Sequence, residues 1–379
     1  MGIVRCSPCA SARRTHTVAA LCVAALSVLS PASPASACTA FAVASDETVC
    51  GANLDWPEDL EGYVLVNPRG LEKTFVPWSG FGPSEHDGEP PTWVAKYASV
   101  TLTCFGRDFI EGGMNEQGLI IEQANLASVY PPDDGRPGVS SQQWMQYALD
   151  SFRDVGEVVE HLGDVRQDGE GWHFLVLDRS GDWAVVEFID GSHVVHRAGR
   201  HEFGIITNAT YEQCENHVPL DVRFGGELDI GSGDDSYGRF VRVAERLRDR
   251  RGAWLRYTPD APADTTGARE RWNALDRIDF AFALLDDVSV DDTQRSVVYD
   301  TGALRVYWKS WAHPEVRYIP LISVRSREGS GVRAVPMHAP LAGDATGALE
   351  LLSDKQNLDL LEHVGALIGG RHDGDGCGK

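Results

Sequence analysis

The sequence predicts an α+β fold of layered helices and antiparallel sheet, and three observations predict it. Alternating strand-like runs joined by tight turns fill Trp172 to Thr207. Separate amphipathic helical runs occur near 141–162, 234–252 and 273–288. Strand pattern returns between Gln294 and Ile319. Strands cluster with strands and helices with helices, which is the pattern of stacked layers and not of parallel βαβ units.

The first element is a leader. Arg5, Arg13 and Arg14 form a basic start, Val18 to Leu29 is an apolar core of 12 residues, and Pro31 to Ala37 ends in Ala35-Ser36-Ala37, the small-residue pattern that signal peptidase cuts. Such a core is shorter than the roughly 20 residues needed to span a bilayer. Arg13-Arg14 would suit a twin-arginine signal, but Thr15-His16-Thr17 lacks the apolar and lysine positions usual after it, so ordinary export to the periplasm or medium is expected. A lipoprotein signal also places cysteine after the cut and would acylate Cys38; such signals prefer leucine where Ala35 stands. The expected organisation is a signal peptide over 1–37, one domain over 38–368 and a Gly-rich disordered tail over 369–379.

Removing 1–37 takes away three arginines and no acid, so the net charge moves from −22 to −25. That field repels phosphate backbones and anionic headgroups, and no basic run remains to overcome it. Nucleic acid is therefore excluded as a partner, as is the membrane unless Cys38 is lipidated. The mature chain keeps Cys38, Cys50, Cys104, Cys214 and Cys377, an odd number that leaves at least one thiol unpaired in an exported protein. Cys50 with Cys104 is one pairing open to it, which spacing does not decide. No C-x-x-C or H-E-x-x-H pattern occurs in the mature chain; no metal or other cofactor is expected, and His193-x-x-His196 reads as surface.

From Cys38 onward, Thr39 to Ser45 and Thr48 to Leu54 read as two strands joined by a polar turn. Asp55 follows at the end of the second strand, where it can fold back towards Cys38. Gly62 to Pro68 is a third strand and 79–91 a Gly/Pro-rich loop. Trp93 to Phe105 and Phe109 to Leu126 alternate as paired strands. Ser140-Ser141 offers an N-cap to the helix that Trp144, Tyr147, Ala148, Phe152, Val155, Val158 and Leu162 imply. Ala345 to Ile368 is a further helical segment.

A cysteine freed at a chain terminus carries a nucleophilic thiol and, on the same residue, an α-amine of pKa about 7.7–8.0 that can act as its base. Around it stand G-A-N-L-D-W at 51–56, G-M-N-E-Q-G-L at 113–119 followed by Asn125, G-I-I-T-N at 204–208 and S-Y-G-R-F-V-R at 236–242. Together with Cys38-Thr39, these stretches resemble, in order and spacing, the choloylglycine hydrolase family, which includes bile salt hydrolases and penicillin V acylases. The resemblance implies a four-layer αββα N-terminal nucleophile fold, hydrolysis of a linear N-acyl amide through an acyl-thioester, and a homotetramer or dimer. It implies Cys38 as nucleophile, Asp55 as the acid beside its amine, Asn125 and Asn208 as oxyanion donors and Arg239 as a buried cation near the sulfur. Trp56 is a candidate wall of the acyl pocket.

The sequence departs from the family at Ala52, where arginine commonly precedes the Asn53 position. Two other functions stay open: an acyltransferase, in which an amine takes the acyl group, and an inactive lipid-anchored binding protein. Each residue also has an ordinary structural role open to it. Asn208-Ala209-Thr210 is a glycosylation sequon, and an arginine on an amphipathic helix is usually solvated.

Overall fold

Among the described residues, sixteen short strands pair into two large sheets, because the strand runs are too short to bury an apolar face except against one another. The computed structural model describes residues 37–43, 48–79, 82–83, 89–169, 171–257, 274–323 and 330–372. The chain divides into Met1–Ala35 and Ser36–Lys379, and all described residues belong to the second unit. The expected leader before Ala37, Cys377 and the end of the tail lie outside the described residues.

In chain order the strands are β1 (Thr39–Val43), β2 (Val49–Asp55), β3 (Tyr63–Asn67), β4 (Ser99–Thr103), β5 (Gly112–Asn115), β6 (Ile120–Asn125), β7 (Trp172–Leu177) and β8 (Trp183–Ile189). They continue as β9 (Ser192–Arg197), β10 (Ile205–Ile206), β11 (Thr293–Asp300), β12 (Arg305–Ser310), β13 (His313–Pro320), β14 (Arg333–Pro336), β15 (Gly343–Asp344) and β16 (Glu350–Leu351). A seven-stranded sheet runs β10-β1-β2-β11-β12-β13-β15, and a nine-stranded sheet runs β9-β8-β7-β6-β5-β4-β3-β14-β16. Within these two sheets pairing is antiparallel except between β13 and β15.

The helices are α1 (Ser141–Ser151), α2 (Val155–Glu160), α3 (Tyr211–His217), α4 (Ser236–Tyr257), α5 (Ala274–Asp287) and α6 (Asp354–His372). On the seven-stranded sheet α4 packs over β1 and β10, and α5 over β2 and β11; α1 packs over β5 and β6 of the other sheet. The order is therefore helix, sheet, sheet, helix, as the sequence resemblance implies. The helical run read as one element over 141–162 is two. Ser140 caps α1 and Asp154 caps α2 afresh, while the Val155 N–H bonds the Asp178 carboxylate at 3.0 Å. A new cap satisfies the donors that a restarted helix exposes. The C-terminal helix starts at Asp354, not at Ala345, and runs on past Ile368 to His372.

One core lies between the sheets, with Val64, Leu102, Met114, Leu175, Val297 and Trp308 in it, and a second lies under α1 and α2, around Trp144, Leu149, Phe174 and Phe188. Full burial of each such side chain contributes about 1.5–3 kcal/mol. Alternation fixes which face of β1 and β2 meets which layer. Phe41 lies across Gly51, where a Cβ would come within 2.5 Å of its ring. Asn53 donates to the Leu285 carbonyl of α5 at 2.9 Å. The odd-numbered residues thus face the helices, and Cys38, Ala40, Cys50 and Ala52 face the space between the sheets.

That space also holds charge. Arg295 of β11 donates to Glu111 at 2.8 Å and to the Cys104 sulfur at 3.3 Å, and the Tyr299 hydroxyl donates to Glu122 of β6. Gly112 leaves room for Glu122, since a Cβ there would lie 2.1 Å from its carboxylate oxygen. Burial pushes the Glu122 carboxyl up to about 8, against the lowering effects of the Tyr299 hydroxyl and Arg295.

Candidate active site

Cys38 sits just ahead of β1 and is 2% exposed. Its thiol lies 3.9 Å from the backbone carbonyl oxygen of Asp55, at the end of the neighbouring strand. Arg239, on the first turns of α4 and also 2% exposed, ties the surroundings together. One guanidinium nitrogen donates to the Cys38 carbonyl at 2.8 Å and to the Thr39 hydroxyl at 2.6 Å, and to the Ala37 carbonyl. Another donates to Asn208 Oδ1 at 3.0 Å, and Nε is held by the Asp234 carbonyl at 3.1 Å. Only the forked donor set of arginine satisfies so many acceptors from one side chain. Burial lowers the Arg239 pKa, and Asp55 and Cys38 oppose that fall. The arginine that its helix position alone would leave in solvent is thus buried beside Cys38.

Asp55 is fully buried. Its carboxylate accepts from the Thr293 hydroxyl at 2.5 Å, across the β2–β11 pairing where the register shifts between Thr293 and Arg295. Burial pushes the carboxyl up to about 7, while the Thr293 hydroxyl and then the Arg239 guanidinium pull it down. Trp56 leaves the strand with its N–H on the Asp292 carbonyl at 2.9 Å and its carbonyl held by Gln294 at 2.6 Å. The Trp56 ring, half-buried, packs with Leu60, Cys104 and Leu360.

The two asparagines come from opposite sheets. Asn125 ends β6 opposite Trp172, and its Nδ2 donates to the Gly171 carbonyl at 3.2 Å. Gly171 cannot be replaced there, because a Cβ would lie 2.0 Å from the Leu126 carbonyl oxygen. Asn208 follows β10, and its Nδ2 donates to the Asn125 carbonyl at 3.0 Å. With Oδ1 bound by Arg239, the Asn208 amide is held one way round, and its Nδ2 keeps a second hydrogen beyond its bond to Asn125. The structure therefore brings Cys38, Asp55, Asn208, Asn125 and Arg239 together at one end of the sandwich.

This constellation begins where a known family begins. Residues 38–217 match the model of the linear amide C–N hydrolases, choloylglycine hydrolase family. Residues 38–217 belong to the choloylglycine hydrolase family. The protein is accordingly a hydrolase acting on linear amide carbon–nitrogen bonds. A penicillin V acylase from Pectobacterium atrosepticum is 28% identical over 355 residues, covering 85% of this chain and 90% of that protein. The structure of a penicillin V acylase from Agrobacterium tumefaciens superposes with a TM-score of 0.66 at 24% identity, over 83% of this chain and 98% of that one. A conjugated bile acid hydrolase from Clostridium perfringens gives a TM-score of 0.58 at 18% identity, over 79% and 96%. These two likenesses are of fold.

Within the choloylglycine hydrolase framework, Ala52 lies in β2 between Ala40 and Val297, on the face shared with Cys38 and 3% exposed. An arginine at that position would project between the sheets; here only a methyl group does. Three partners of the site escape a reading of the sequence. Thr293 meets Asp55 from 238 residues away, Gly171 holds Asn125 and Asp234 holds Arg239. None lies in the motif stretches, although Gly171 directly precedes the strand that begins at Trp172.

Cys50, Cys104 and Cys214 are buried free thiols, so no Cys50–Cys104 bond is formed. Burial raises the pKa of each, to about 12 for Cys214. His196 is not a surface residue: its side chain is 13% exposed and lies 3.2 Å from the buried Glu187 carboxylate. It also stacks on Tyr211 with ring centroids 4.6 Å apart.

Proposed function

We propose that the protein is a penicillin V acylase-like amidase, exported and matured by cleavage after Ala37, with Cys38 as its nucleophile. The observation that carries this proposal is the bridge made by Arg239, whose guanidinium bonds both the Cys38 carbonyl and Asn208 Oδ1. It puts the nucleophile and an oriented amide donor in one rigid frame, which is what acyl transfer needs. Two further facts support it: the family match starts at Cys38, and the Pectobacterium relative, aligned over 85% of this chain, is a penicillin V acylase.

The chemistry follows from these groups. While Ala37 is attached, the Cys38 nitrogen is an amide and cannot take a proton. Once cut, the α-amine accepts the thiol proton and the sulfur attacks the amide carbonyl carbon. The oxygen becomes negative against the N–H donors of Asn208 and Asn125. As the carbon–nitrogen bond breaks, the protonated α-amine gives its proton to the departing amine and a thioester remains on Cys38. Water, deprotonated by the same amine, then releases the carboxylic acid and restores the thiol. Asp55 orients the amine and balances its charge. Arg239 holds this geometry from the helix side and supplies the positive field near the thiolate that Ala52 does not.

The test is to incubate the mature protein with penicillin V, quench it and map the acyl group by mass spectrometry. A phenoxyacetyl adduct on the peptide beginning at Cys38, with release of 6-aminopenicillanic acid, supports the proposal. New amide in the presence of added amine would make the protein an acyltransferase. Binding without turnover or adduct would make it a binding protein of this fold.

A further inference from the structure

A second group of buried polar residues lies behind Asn208. The strand before it, β10, is two residues long, pairing with β1 only through Ile205 and Ile206. At Thr207 the chain leaves that ladder, and its carbonyl crosses to the other sheet, where His173 Nε2 meets it at 2.6 Å. His173 sits in β7 with its side chain fully buried. Its Nδ1 faces the Glu187 carboxylate of β8 at 3.1 Å, and the same carboxylate oxygen accepts the Tyr211 N–H at 2.8 Å. A carbonyl oxygen has no hydrogen to give, so Nε2 is the donor in that contact, and Nδ1 shares a proton with Glu187.

The placement matters for both oxyanion candidates. His173 pairs with Ala124 and its neighbour Trp172 pairs with Asn125, so the strand that bears the imidazole also sets the end of β6. The imidazole then fixes the peptide that joins Thr207 to Asn208. A bond between the sheets thus controls the 3.0 Å approach of Asn208 Nδ2 to the Asn125 carbonyl.

We propose that His173, held by Glu187, is a positioning residue that fixes Asn208 for binding the oxyanion. This rests on the assignment of Cys38 as nucleophile and of Asn208 as donor. His173 touches neither substrate nor sulfur; it acts through the Thr207 carbonyl. Misplacing a catalytic group by about 1 Å costs on the order of 10²-fold in rate. His173→Ala is therefore expected to lower kcat about 10- to 100-fold with KM nearly unchanged. His173→Gln, whose amide N–H reaches the same carbonyl, should recover much of that loss.

The experiment is a double-mutant cycle on the mature protein, with p-nitrophenyl phenoxyacetate as the probe and p-nitrophenolate release as the signal. His173→Ala and Asn208→Ala are made singly and together, with Cys38→Ser as control. The expected result is a kcat drop for His173→Ala that vanishes in the Asn208→Ala background, with rescue by glutamine. An equal drop in both backgrounds, or no drop in a folded His173→Ala protein, overturns the inference while leaving the amidase assignment intact. Release that survives Cys38→Ser or Asn208→Ala unchanged overturns both. If His173→Ala does not fold, Glu187→Gln takes its place. It keeps an acceptor for Tyr211 but removes the carboxylate from the imidazole, and the same comparison between backgrounds decides.

Discussion

Two regions of this molecule bury ionisable groups, and they do so to different ends. Between the sheets, Arg295, Glu111, Cys104, Glu122 and Tyr299 close on one another. At the end of the sandwich, Cys38, Asp55 and Arg239 are as deeply buried, yet the two asparagines beside them are only half-buried. Both regions hold a carboxyl raised by several pH units, Glu122 to about 8 and Asp55 to about 7. A perturbed acid therefore does not by itself locate a catalytic site. What separates the two is where the donors lead. In the first region they end on protein acceptors; in the second an oriented amide retains a hydrogen for something not yet there.

The sharpest way to break this contrast is Cys38→Ser. Loss of amide hydrolysis by about 10⁴-fold or more is expected, with the thermal midpoint little changed. Comparable activity in the variant would remove the distinction between the regions. Next is Asn208→Ala, which takes away one proposed oxyanion donor; steady-state kinetics should show a loss of about 10²–10³ in kcat. Thr293→Val is a smaller change. The Thr293 hydroxyl lowers the Asp55 pKa, so its removal raises that pKa further, and the acid limb of kcat/KM moves to higher pH. A pH–rate profile reads this directly, and an unmoved limb would separate Asp55 from the chemistry.

Glu122→Gln probes the other region and should leave kcat within about twofold. Its effect is on stability. The Glu122 carboxyl is raised in the folded protein, from 4.5 to about 8. Below pH about 4.5 both folded and unfolded forms are protonated, and the contribution of the neutral carboxyl to stability is fully present. Between there and pH about 8 the unfolded chain releases its proton first, so this contribution is lost as the pH rises. Asp55 acts with the same sign up to about 7. Denaturant titrations across this range should show stability of the parent protein declining with pH, and a flatter profile for Glu122→Gln, which retains an acceptor for Tyr299. Equal slopes would contradict a neutral buried Glu122.

How much of this was legible in the sequence follows from the distance over which each signal acts. Cys38, Asp55, Asn125, Asn208 and Arg239 each lie within or beside a short motif, and the structure brings all five to one place. The strand-rich layering was legible through alternation. Thr293 was not, because its partner is set by the pairing of β2 with β11 across most of the chain. His173 and Glu187 sit in strands that look apolar throughout, and nothing local marks them as a pair joining two sheets. The break between α1 and α2 was masked by apolar spacing that continues through Phe152 and Val155, although Asp154 is the cap that marks it.

The central claim is that cleavage after Ala37 creates the active enzyme by freeing the Cys38 amine. It is tested most directly by intact mass and N-terminal sequencing of the exported protein, with penicillin V hydrolysis measured on the same sample and on a cleavage-blocked precursor. The account predicts a chain beginning with unmodified Cys38 that turns over, and a precursor that does not. A diacylglyceryl group on Cys38, or full activity with Ala37 still attached, would contradict it.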